Sequence, residues 1–148
     1  MGNKLSIAAT LGMFLLASAA QAGESIEVLK TSGCGCCVSW VKHLEGQGFK
    51  VKTRNLDMGS LMQVKLKAGL KVGLTSCHTG RIEGYVVEGH VPAREIRRLL
   101  SERPAAIGLT VPNMPLGSPG MDFGSEKEPY EVLLVNKDGS TRVFASYQ

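Results

Sequence analysis

The sequence has little with which to hold a nucleic acid. Aromatic residues make up 5% of the 148 positions, tryptophan occurs once, and Lys and Arg (17) outnumber Asp and Glu (13) by only four. No basic run is interleaved with aromatics, so phosphates and bases find neither a charged groove nor a stacking platform. We therefore expect no nucleic-acid partner. The most basic stretch, Arg94 to Arg103, reads as the solvated face of a helix. Internal repeats are absent, which excludes a solenoid. Past residue 22 no apolar run is long enough to act as a stop-transfer segment.

The first 22 residues form a separate unit. Lys4 supplies a short positive region, Leu5 to Ala20 is apolar, and Ala20-Gln21-Ala22 has the small-x-small form of a cleavage site. Residues 1–22 are thus expected to be a signal peptide cleaved after Ala22. Residues 23–148 then form a single exported domain, periplasmic in the simplest case and free of the membrane after cleavage. Their length suffices for a hydrophobic core without staples.

Cysteine is scarce but concentrated. Three of the four cysteines lie in Thr31-Ser32-Gly33-Cys34-Gly35-Cys36-Cys37, and the fourth, Cys77, precedes His78. Two structural disulfides would require one bridge inside the cluster. A Cys36–Cys37 bridge would be strained, and Cys34–Cys36 would close a very tight ring. Cys34–Cys37 is the comfortable spacing, and it is that of redox dithiols. The cluster lies between an alternating run, Ser25–Lys30, and a helical stretch that begins near Cys36. A helix N-terminus favours thiolates, which both metals and disulfide chemistry need.

The coarse architecture follows from periodicity. Ser25–Lys30 predicts a strand, about Cys36 to Glu45 a helix with Trp40, Val41 and Leu44 inward, Phe49–Thr53 a strand, and Leu61–Ala68 a helix. At the far end, Glu131–Val135 and Thr141–Ala145 flank an Asp138-Gly139 turn and predict a hairpin. A βαβ start and a terminal hairpin outline an α/β, thioredoxin-like fold with its redox position at the cysteine cluster. The segment from about 72 to 129 is expected to be an insertion. It carries a strand at Tyr85–Glu88, a helix at Pro92–Arg103, and a rigid loop, Val111 to Met121, with three prolines.

The ligand inventory is soft. Cys34, Cys36 and Cys37 converge from one turn, and Cys77 with His78 forms a second patch able to fold over it. Such sets suit Cu(I), zinc or iron–sulfur clusters. Zinc is less favoured, because it prefers four spread ligands, whereas crowded thiolates bridge several Cu(I) ions. Met114 and Met121 flank the rigid loop and are weaker candidates. His43 lies two turns after Cys36, about 10 Å away, too far to share a metal with it. His90 is either a ligand or a satisfied loop residue.

The Cys-Gly-Cys-Cys turn, Trp40-Val-Lys-His-Leu, Ser76-Cys-His-Thr, Gly84-Tyr-Val-Val-Glu-Gly-His-Val-Pro, Glu102-Arg-Pro and Met114-Pro-Leu-Gly-Ser-Pro-Gly-Met-Asp together resemble the CopG-type periplasmic metal-binding proteins of copper resistance. The resemblance runs from about Val28 to Asp122. It implies a thioredoxin-like fold whose cluster binds copper, including as a multinuclear Cu(I) centre, through Cys34, Cys36, Cys37, Cys77 and His78. It also implies other periplasmic copper-handling proteins as partners. The rival reading is an oxidoreductase, acting on disulfides or on copper, that uses Cys34 and Cys37. Two positions depart from the family pattern. Asn113 stands where a second glycine is expected, and Gly73-Leu74 replaces a Gly-x-Pro.

Overall fold

The computed structural model describes residues 23–148; the leader expected over 1–22 lies outside the described residues. In chain order the elements are β1 (Ser25–Lys30), α1 (Gly35–Gly46), β2 (Lys50–Asn55), α2 (Met58–Lys67), a 3-10 turn (Val72–Leu74), β3 (His78–Ile82), β4 (Tyr85–Gly89), α3 (Ala93–Glu102), β5 (Ala106–Val111), β6 (Tyr130–Asn136) and β7 (Thr141–Tyr147). The strands form one mixed sheet in the order β2-β1-β3-β4-β5-β6-β7. The β1–β2 and β4–β5 pairs are parallel, and the others antiparallel. No helix among the described residues is long and apolar enough to cross a membrane.

Helices cover both faces of the sheet. Trp40, Val41 and Leu44 of α1 and Ile96, Leu99 and Leu100 of α3 pack with Ile26, Val28, Val87, Leu109, Val132 and Leu134 in the main core. Each such side chain contributes ~1.5–3 kcal/mol by leaving water. A smaller cluster, Leu70, Val86 and Val135, lies on the opposite face, towards α2. Strand alternation links the two faces: Val87 points to the main core, while its neighbours Val86 and Glu88 point the other way. Gly80 in β3 is required by this packing, because a Cβ there would lie 2.8 Å from Ile26 Cδ1 and 3.4 Å from the Trp40 ring.

The segment 72–129 is not an insertion into the sheet. It contains β3, β4, α3 and β5, which occupy the middle of the sheet, and the terminal β6–β7 hairpin extends the edge beyond them. The expected hairpin is present, but β3–β4, not β6–β7, is the hairpin that pairs beside β1. Two strands have no sequence counterpart above. His78-Thr-Gly-Arg-Ile82 has no apolar alternation, and Ala106–Val111 is a nearly continuous apolar run because both of its faces are covered.

Candidate metal centre

The cysteine turn is set by the start of α1. Cys34 is the N-cap, extended at φ −81°, ψ 96°, and its sulfur accepts the Cys37 backbone N–H at 3.3 Å. Cys34 and Cys37 form a disulfide with a Cα–Cα separation of 5.3 Å, while Cys36 and Cys77 are free. Cys36 Sγ lies 3.5 Å from Cys34 Sγ and 3.7 Å from Cys77 Sγ. The ligand atoms of Cys34, Cys36, Cys37 and Cys77 all fall within 4.8 Å of one another. Cys37 is buried and the other three are half-buried.

Cys77 lies immediately before β3, where that strand meets the end of β1 through the Lys30–His78 pair. This register carries Cys77 to the cysteine turn that follows β1. The same sulfur belongs to a second group, Cys77, His78 and His90, whose ligand atoms also lie within 4.8 Å. His78 Nδ1 is 3.3 Å and His90 Nε2 is 3.4 Å from Cys77 Sγ. In each ring the other nitrogen faces a backbone carbonyl, which can only accept. His78 Nε2 donates to Gly89 O at 2.9 Å, and His90 Nδ1 donates to Pro119 O at 2.8 Å. Both neutral imidazoles therefore turn a lone pair towards Cys77. The Trp40 ring packs 4.3 Å from His78, and Trp40 Nε1 donates to Val91 O at 2.8 Å, fixing the wall behind the histidines.

Burial sets the protonation of this pocket. Both histidines are held below the ordinary imidazole range. For His78 the cause is burial first, then the proximity of His90 and Lys65; for His90 burial outweighs the opposing pull of the Pro119 carbonyl and Asp122. The Cys77 thiol is pushed up to about 12, by burial and then by Cys36 beside it. The metal-free pocket thus holds neutral imidazoles and a protonated Cys77 thiol. A metal has to displace that proton.

Two solved structures named copper resistance protein CopG, form 1 and form 2, are each 43% identical to this chain. They cover 84% and 85% of it, are themselves covered to 98% and 99%, and superpose with TM-scores of 0.78 and 0.79. This chain belongs to the CopG copper resistance family. A family model described as a protein of unknown function, DUF411, matches residues 74–121, the span that holds Cys77, His78 and His90. No curated protein sequence matches the chain.

The CopG-family motifs occupy distinct places. The structure brings Cys34, Cys36, Cys37, Cys77 and His78 together, and it adds His90, which sequence reasoning left undecided between ligand and loop residue. The available signal was the position of His90 just past a strand and before Val91-Pro92, which returns it over the preceding hairpin. His43 has a different role: its Nε2 accepts the Ala93 N–H at 3.3 Å and so caps the start of α3. Met114 is 37% exposed and Met121 half-buried. Asn113 and Met114 have φ of 65° and 48°. Asn113 thus occupies a left-handed position, where asparagine is the best replacement for the expected glycine. The loop beyond it closes on the cysteine turn at Gly120 (φ 86°), where a Cβ would meet Trp40 N at 2.6 Å and Cys36 O at 3.0 Å.

Proposed function

We propose that the protein is a periplasmic copper-binding protein of metal resistance. It takes up Cu(I) through the thiolates of Cys34, Cys36, Cys37 and Cys77 together with the imidazole of His78, and His90 joins as a further ligand. The observation that carries this reading is the sharing of Cys77: one sulfur belongs both to a four-sulfur group and to a sulfur–imidazole group. A shared thiolate is the element from which a multinuclear Cu(I) centre is built. The four-sulfur group alone would also suit zinc; family membership favours copper. Copper is here the cargo, buffered or passed to other periplasmic copper-handling proteins. The leader sequence supports the compartment. The unit β1-α1-β2-α2-β3-β4-α3, with strand order β2-β1-β3-β4, supports a thioredoxin-like reading of the core.

The Cys34–Cys37 disulfide favours a second reading, an oxidoreductase of thiols or of copper. The two readings share a first step. An external dithiol, itself oxidised to a disulfide, supplies the two electrons and two protons that open the Cys34–Cys37 bond to two thiols, and the site passes from two free sulfurs to four. Anaerobic Cu(I) titration of the reduced protein, followed by X-ray absorption, tests the proposal. We expect more than one Cu(I) per chain, sulfur scatterers and a short copper–copper vector. Failure to bind Cu(I), with turnover of disulfide substrates, would leave the second reading in its place.

A further inference from the structure

Lys65 and Glu88 form an ion pair in the interior. They are 1% and 0% exposed, and Lys65 Nζ lies 2.5 Å from Glu88 Oε1. Lysine and glutamate are almost never so buried. Such a pair is weak evidence for a stabilising role, since apolar residues of similar volume are often as stabilising or more so. Its partners point elsewhere. Glu88 Oε1 also accepts the Ser76 backbone N–H at 2.6 Å, and Glu88 Oε2 accepts the Thr79 hydroxyl at 2.7 Å. Lys65 Nζ closes the ring by donating to Thr79 Oγ1 at 2.7 Å.

The residues held by Glu88 bracket Cys77 and His78 on either side. Ser76 and Cys77 precede the β3 ladder, which begins at His78. The Ser76 amide is held by a side chain where a strand partner would otherwise hold it. Alternation sends His78 to the face shared with Trp40 and Thr79 to the face shared with α2, so the ring grips the strand from behind the ligand pocket. Glu88, Gly89 and His90 are also consecutive. The carboxylate of the first holds Ser76 and Thr79, the carbonyl of the second holds His78, and the imidazole of the third faces Cys77.

We propose that the buried Lys65–Glu88–Thr79 ring is a positioning device: it anchors the Ser76–Thr79 segment from α2 and β4 and so sets Cys77 and His78 against the cysteine turn. This rests on the reading of Cys77 and His78 as copper ligands. Lys65, Thr79 and Glu88 touch no metal themselves. A charged ring serves here because a carboxylate can draw an amide and a hydroxyl on the two sides of one dipeptide, which an apolar contact cannot do.

The test uses two variants. Lys65→Met/Thr79→Val/Glu88→Leu replaces the ring with apolar groups, so that the Ser76 N–H, the tether under test, is the group that loses its acceptor. Ser76→Pro deletes the tethered N–H and keeps the ring. In the disulfide form only Cys36 and Cys77 are free thiols, so iodoacetamide labelling read by peptide mass spectrometry reports Cys77 against Cys36 as an internal reference. We expect both variants to melt cooperatively, with Cys77 labelled faster relative to Cys36. Cu(I) affinity of the reduced variants, measured against a chromogenic chelator, should fall about tenfold or more. A folded variant with the wild-type labelling ratio and wild-type Cu(I) affinity would overturn the proposal. Ser76→Pro decides the matter if the triple variant does not fold. If the wild-type protein binds no Cu(I), the copper reading fails, while the labelling ratio still decides the anchoring role.

Discussion

Cys36 is the residue at which the two readings of the cysteine turn part. A dithiol enzyme needs Cys34 to attack and Cys37 to resolve, with Cys36, 3.5 Å from Cys34 Sγ, as an interfering third thiol. A copper cluster needs Cys36 as much as its neighbours, because its sulfur lies between those of Cys34 and Cys77. Cys36→Ser should therefore sharply reduce Cu(I) loading and cellular copper tolerance without producing an efficient disulfide reductase. Unchanged loading together with faster thiol–disulfide exchange would reverse the assignment. Cys77 adds a pH dependence. Burial and the neighbouring Cys36 keep its thiol protonated in the neutral range in the metal-free protein, whereas on the copper reading the bound sulfur is a thiolate. Binding thus releases a proton, and raising the pH strengthens it, by about tenfold per pH unit for each proton released. Chelator competition across the neutral range measures that slope. A slope that loses one proton in Cys77→Ala assigns the release to this residue.

At the level of elements, the site depends on a loop lying on a helix. The proline-rich segment reaches the first turns of α1 at Gly120, where the left-handed φ and the short distances to Trp40 N and Cys36 O leave no room for a side chain. The same segment supplies the Pro119 carbonyl that orients His90. Gly120→Ala should lift the loop from α1 and destabilise the protein by roughly 1–3 kcal/mol, as overpacking and backbone strain do. It should also release the His90 ring, so copper affinity should fall with stability. Urea unfolding paired with Cu(I) competition checks both. An alanine variant of wild-type stability would mean that the loop does not bear on α1 as described.

For the whole molecule, the core and the sulfurs are largely separate. The main cluster of buried apolar residues runs through β1, α1, β3, β4, α3, β5, β6 and β7, and none of its members is a cysteine, although Cys37 is itself buried. Reduced, metal-free protein should therefore remain folded, with cooperative melting and native far-ultraviolet circular dichroism. A random-coil spectrum that becomes ordered only with copper would show that the metal supplies folding energy, as it does in small zinc domains.

Much of this was determined locally and could be read along the chain. The turn at Cys34–Cys37, the helix it opens, the alternation of β1, and the Asp138-Gly139 hairpin depend on neighbouring residues, and local periodicity and turn chemistry encode such features. The cluster of sulfurs was apparent because three of its four members are close in sequence. Tertiary structure decided the rest. β3 and β5 have no alternating pattern, since one is short and polar and the other is covered on both faces, so the segment that resembled an insertion became the middle of the sheet. His90 lies 13 residues from Cys77 along the chain. Only the β3–β4 hairpin returns it to that sulfur, and only the Pro119 carbonyl selects the tautomer that faces it. Nothing in the local pattern marks Lys65 for burial, and its pairing with Glu88 inside the protein requires α2 to pack over β3 and β4. A sequence records which groups are present. Which groups share a lone pair, a proton or a metal depends on distances of a few ångströms between segments that only folding brings together.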